Sequence, residues 1–185
     1  KAVSGFVERG FAAAMKNHPV PGKAESAIEY SNPVIKDYGK VVRLPNATQQ
    51  PRTNSRIVVD VTTGGDPAAL NPGIEKVARF VNIYRGAGEK PATVKIAIVL
   101  HGDATLTVLN ADVYSERFGT DHNPNFECLH DLHEAGVEIY VCGQSLISKG
   151  AKPDEVVVFS DVAVSGLTSL VNLQSDGYAY MPLLK

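Results

Sequence analysis

VEIYVCGQSL, residues 137–146, reads as a buried β-strand that passes straight into a helix, with Cys142 at the hand-over. Strands that are apolar throughout, each followed by a helix, are the mark of a parallel sheet covered on both faces. The same pattern recurs on either side. Upstream, TVKIAIVLHG (93–102) is a nearly unbroken apolar strand. It is followed by a long connection, LTVLNADVYSERFGTDHNPN (106–125), and by FECLHDLHEAG (126–136), which reads as a helix stopped by Gly136. Further upstream, RIVVDVT (56–62) is a β-branched strand, and after the loop DPAALNPG comes IEKVARFVNIYRGAG (74–88). Here Ile74, Val77, Ala78, Val81 and Tyr84 recur at helical spacing, with Gly86 and Gly88 expected to close the helix in the left-handed conformation. Downstream, EVVVFS (155–160) is expected as the fourth strand, VAVSGLTSLVNLQSDG (162–177) carries the next helix, and YAYMPLL (178–184) is a last strand.

The first fifty-five residues are different. Pro19, Pro21, Pro33, Pro45 and Pro51 punctuate them, and only KVVRL (40–44) resembles a strand, while FVERGFAAAMKN (6–17) fits a short helix. We read residues 1–55 as an extended arm and 56–185 as one α/β domain. With 44% hydrophobic and 21% charged residues over 185 positions, the chain is long enough for one domain with a real core. The formal charge of −2 and the lack of a Lys/Arg cluster argue against nucleic acid as a partner. No apolar run is long enough for a helical membrane span, and no membrane partner is expected.

Ligands of open parallel sheets gather at the carboxyl ends of the strands. That rule gives Thr62–Gly65, His101-Gly102, Cys142-Gly143-Gln144 and Ser160-Asp161 a common edge. A cysteine just before a helix has a reason to react, because the positive end of the helix dipole favours thiolate. Gly143 would leave the sulfur unshielded, and the amides of Gln144 and Ser145 would stabilise an anion there. The competing reading is a buried, inert thiol, since free cysteines are among the most buried residues.

His101 could serve as a base or as a cation near Cys142, or could be held for packing. The Gln144 side chain could orient a ligand or cap its helix. Cys128 would start its helix at the same edge, where it could act as a resolving thiol for Cys142, with core packing as the alternative. His130 and His133, three apart, with His122 and Cys128, invite a metal reading, but they match no metal signature and we assign no metal site. TTGGDPAALNPG (62–73) lacks the nucleotide-binding glycine patterns. Asp60 and Asp103 are taken as loop or network residues.

The segments IVLHG, NPNFE, GVEIYVCGQSL and LQSDGYAYMP, between about Arg56 and Pro182, resemble the DsrE/DsrF-like family of small sulfur-relay and sulfur-oxidation proteins, in particular members with an N-terminal extension. The resemblance implies a flavodoxin-like three-layer α/β sandwich around a mostly parallel sheet, assembly into trimers or hexamers, and a cysteine that carries sulfur as a persulfide. In this chain that cysteine is Cys142. Such a carrier exchanges sulfur with donor and acceptor proteins and needs no cofactor. The reading from a different class is an oligomeric small-ligand-binding module in which the cysteine is incidental. A start at Lys1, together with the extended relatives, gives the expectation of a periplasmic or exported protein, with the cytoplasm as the alternative.

Overall fold

In the computed structural model, residues 28–183 are described, so the helix expected over 6–17 lies outside the described residues. The arm contributes β1 (Tyr30–Ser31) and β2 (Val41–Val42), paired antiparallel. Five further strands form one sheet: β3 (Ser55–Val61), β4 (Val94–Leu100), β5 (Glu138–Cys142), β6 (Asp161–Ala163) and β7 (Ala179–Pro182). They lie in the order β6-β5-β4-β3-β7, and every neighbouring pair is parallel. The three-layer α/β expectation is borne out.

The order follows from the connections. The chain steps from β3 to β4 through α1 (Pro72–Asn82), and from β4 to β5 through α2 (Ala111–Phe118) and α3 (Phe126–Glu134). It then reaches β6 through α4 (Gly143–Ser148) and returns to β7, on the far side of β3, through α5 (Gly166–Ser175). Right-handed crossovers that travel in opposite directions must lie on opposite faces. Accordingly α1 and α3 pack with Ile57, Val59, Ile98 and Val141 on one face, while Leu170 and Leu173 of α5 pack with Val58, Ala97 and Val99 on the other. Strands buried on both faces explain the unbroken apolar runs, and each fully buried Val or Leu stabilises the sheet by roughly 1.5–3 kcal/mol.

The arm is bound to α1 by one buried amide. Asn82 accepts from the backbone of Val34 and Ile35 at 2.9 and 3.0 Å and donates to the carbonyls of Ile35, Tyr38 and Gly39. Gly39 has φ +64°, and a Cβ there would lie 2.2 Å from the backbone nitrogen of Arg79, so only glycine lets the arm come this close.

Two expectations are corrected. EVVVFS is not the fourth strand. Val157 donates to the Val108 carbonyl at 2.8 Å and Val156 bridges Leu109 antiparallel, so the run ladders with a loop, and Val158 is 100% exposed. The sheet strand is the less apolar Asp161–Ala163, beside β5. Gly86 and Gly88 do not close the helix by a left-handed turn. After Asn82 the chain widens into a π-helical turn over Ile83–Ala87, ending at Gly88 with φ −87°. A Cβ at Gly86 would lie 2.4 Å from Pro33, and one at Gly88 2.9 Å from Pro51, so these glycines make room for the arm. Gly136, with φ +85°, does stop α3 as expected.

Candidate functional site

Cys142 ends β5 and caps α4, its sulfur accepting the Ser145 amide at 3.4 Å. Strand alternation sends Val141 to the α1/α3 face and Cys142 to the α5 face. There it meets the start of a second helix. Ser165 caps α5, with its Oγ 3.0 Å from the Thr168 amide, which leaves the Gly166 amide free to bond the Cys142 sulfur. The sulfur thus lies between two helix N-termini. It is only 5% exposed, and that burial pushes its pKa up. The Ser145 hydroxyl and the amides of Gly166, Ser145 and Gln144 outweigh burial and hold the thiol below the ordinary cysteine value. Ser145 is itself placed by the neighbouring strand end, since its Oγ accepts the Gly102 amide at 3.2 Å.

Three more side chains extend the site across the sheet. Leu100 of β4 pairs with Val141 of β5, so the next step in register sets His101 beside Cys142 at a strand spacing of about 4.8 Å. His101 Nε2 is 2.6 Å from Asp60 Oδ1 on β3, and the Tyr180 hydroxyl of β7 donates to Asp60 Oδ2 at 2.6 Å. All four residues occupy the α5 face of four adjacent strands, close to their carboxyl ends. Asp60, read from sequence as a network residue, and Tyr180, not singled out, belong to this row. No motif marks them, because diagonal contacts between strands of remote sequence position depend on register.

A model of the DsrE/DsrF-like family matches residues 56–183. The chain belongs to this family. A solved structure described as a protein of unknown function, MTH1491 from Methanobacterium thermoautotrophicum, is similar over 70% of this chain and 99% of its own, with 22% identity and a TM-score of 0.51. That likeness shows a shared fold. No curated protein matches.

Within this DsrE/DsrF-like domain, the remaining candidates fall elsewhere or serve differently. Cys128 does not approach Cys142. It is fully buried among Leu129, Leu132 and the α1 side chains, on the opposite face of the sheet. The shared edge suggested proximity, but α3 covers one face of the sheet and the strand pleat turns Cys142 to the other. Burial, followed by the nearby Asp131 and Glu75 carboxylates, pushes the Cys128 thiol up to about 12. Gly143 is required for a reason other than unshielding sulfur, since a Cβ there would lie 2.8 Å from the Ala163 carbonyl oxygen of β6. The Gln144 side chain is exposed, and its contribution to Cys142 comes from its amide.

His130 stacks on Phe126 and His133 on Phe159. Among the described residues, no group of three or more His, Cys, Asp and Glu is arranged to hold a metal ion. The glycine-rich loop after β3 lines a cleft of about 450 Å³ with Tyr114 and Phe118. The α1 amides above it are already taken by Asn71, which accepts from Gly73 and Ile74, so this helix start is closed to a phosphate. Also among the described residues, no helix is long and apolar enough to cross a membrane.

The close seat of α5 on the site gives a direct test. An alanine at 166 would put its Cβ 2.9 Å from the His101 Cβ and 3.2 Å from the ring Cγ. Gly166→Ala is therefore expected to lift the start of α5 off the sulfur, costing about 1–3 kcal/mol of stability. Iodoacetamide modification of Cys142 at neutral pH should slow several-fold as the thiolate loses a donor, and an unchanged rate would show that the Gly166 amide does not hold the sulfur.

Proposed function

We propose that this chain is a small sulfur carrier in which Cys142 accepts sulfane sulfur as a persulfide. The observation that carries this reading is a thiol depressed below its ordinary value by amides from two helix starts, in a family of sulfur-relay proteins. The Cys142 thiolate attacks the sulfane sulfur of a donor. With thiosulfate, one S–S bond forms to Cys142 as the S–S bond of the donor breaks, and sulfite leaves with the electron pair. The persulfide anion then takes the place of the thiolate, so the same amides stabilise it. An acceptor thiolate reverses the exchange by attacking the outer sulfur, and Cys142 leaves as thiolate. No oxidant is consumed in either step. With 5% of Cys142 exposed, the site favours a small donor, or a partner segment narrow enough to reach a recessed sulfur.

Incubation with thiosulfate or polysulfide followed by intact mass measurement should add one sulfur to the wild-type chain, removable by cyanide, and none to Cys142→Ser. Equal sulfur uptake by the two chains would refute the role. The outer face of α5 favours a second copy of the chain as partner. Leu167 and Val171, one turn apart, are 71% and 61% exposed, and Val164 just before the helix is 75% exposed. Such apolar surface suits the trimeric or hexameric assembly of the family. It equally suits the reading of an oligomeric ligand-binding module, and that module would leave Cys142 without added sulfur in the same experiment.

A further inference from the structure

Asp60 is a buried carboxylate whose two oxygens are both used, one by His101 and one by Tyr180, at 2.6 Å each. A buried charge is stable only when paired and hydrogen-bonded, so this arrangement has an electrostatic role to fill. Its far end stands at the strand end next to that of Cys142. His101 is the register neighbour of Cys142, and Gly166, which donates its amide to that sulfur, lies directly against the His101 ring. We propose that Asp60 and Tyr180 are positioning residues that set the charge on His101, and that His101 in turn acts as the cation beside the Cys142 thiolate. The proposal rests on Cys142 being the working thiol described above.

The two positioning residues act in opposite senses. A carboxylate bonded to an imidazole holds a positive ring more strongly than a neutral one, and a hydroxyl that shares the carboxylate weakens that hold. Few other ionisable groups compete. Neither Gly143–Ser148 of α4 nor Gly166–Ser175 of α5 contains a charged residue, the nearby Lys149 is paired with Asp103, and Asp161 stands exposed on β6. His101 is therefore the ionisable side chain that the sheet sets beside the Cys142 strand end.

The test reads two pH profiles in full-length wild type, D60N and Y180F. One is the rate of Cys142 modification by iodoacetamide, resolved by peptide mass. The other is the His101 ring titration followed by NMR. In D60N the His101 midpoint should fall and the Cys142 midpoint rise, with modification at pH 6.5 slowed about tenfold for a midpoint shift of one unit. In Y180F the His101 midpoint should rise and the Cys142 midpoint fall. A purely structural role moves neither midpoint in this opposed way, and shifts of the same sign or none would overturn the proposal. Should D60N not fold, Y180F made in an H101Q background decides the matter, because its effect on Cys142 must vanish once His101 is gone and must persist if Tyr180 acts otherwise. Sulfur uptake is a separate readout. Opposed shifts without uptake keep this inference and refute the carrier reading, whereas uptake with unmoved profiles does the reverse.

Discussion

Replacing Asn82 by alanine is expected to lower the stability of the folded chain by about 4 kcal/mol and to release the arm to proteolysis. Asn82 is fully buried at the end of α1, and it serves the arm with both ends of its amide. Asn32 retains bonds to the Ile35 and Tyr38 carbonyls, so the direct losses are the acceptor for the Val34 and Ile35 amides and the donor to the Gly39 carbonyl. A buried backbone group deprived of its partner costs roughly 1–3 kcal/mol, which makes the sum large by the standard of single substitutions. The arm also brings Ile35 into the main core, so its release exposes apolar surface. Asn82→Asp should fare no better, because a carboxylate would face the three carbonyls that the amide nitrogen now serves. Denaturant unfolding combined with limited proteolysis measures both effects. A loss below about 1 kcal/mol with an intact arm would show that the arm is held by other contacts.

The second large effect lies at alkaline pH. The Cys128 thiol rises from an ordinary 9.0 to about 12 because burial, followed by the Asp131 and Glu75 carboxylates, disfavours its anion. The folded state therefore holds this proton more tightly than the unfolded chain. The contribution to stability is complete below about pH 9, shrinks as pH rises, and is lost on passing about pH 12. Three pH units correspond to about 4 kcal/mol. Tyr140, pushed up to about 12 by burial and by Glu138, loses stability over a window that ends at the same pH. The Cys128 share is therefore the difference in pH dependence between wild type and Cys128→Ala, measured by denaturant unfolding from pH 8 to 11.5. Alkylation offers a second view: at pH 8 the buried Cys128 thiol stays protonated, so Cys142 should label and Cys128 should not until the chain unfolds. Matched labelling rates in the native state would mean that Cys128 is not sealed in the core.

Much of this was legible in one dimension. TVKIAIVLHG and VEIYVCGQSL announce strands buried on both faces, and the residues around them carry the family pattern, because burial and periodicity are local properties. The run EVVVFS is not a sheet strand because apolar composition alone says neither which residues are buried nor what buries them. Val157 enters the core from a loop while Val158 points to solvent, an alternation that also suits a strand. Gly86 and Gly88 misled in a related way. Their need for space comes from Pro33, Gln50 and Pro51, far earlier in the chain.

The site divides along the same line. That a thiol stands where a strand meets a helix, with Gly143, Gln144 and Ser145 behind it, is legible residue by residue, because a helix start is built from consecutive residues. It takes the folded sheet to show that Cys128 lies across from Cys142, that Gly166 of a distant helix donates to the sulfur, and that Tyr180, Asp60 and His101 form a row toward it. These relations span four strands drawn from positions 55 to 182, and they depend on strand order and register. Those are set by the packing of the whole sheet against its helices, since a slip of one residue would turn Cys142, His101 and Asp60 to the opposite face.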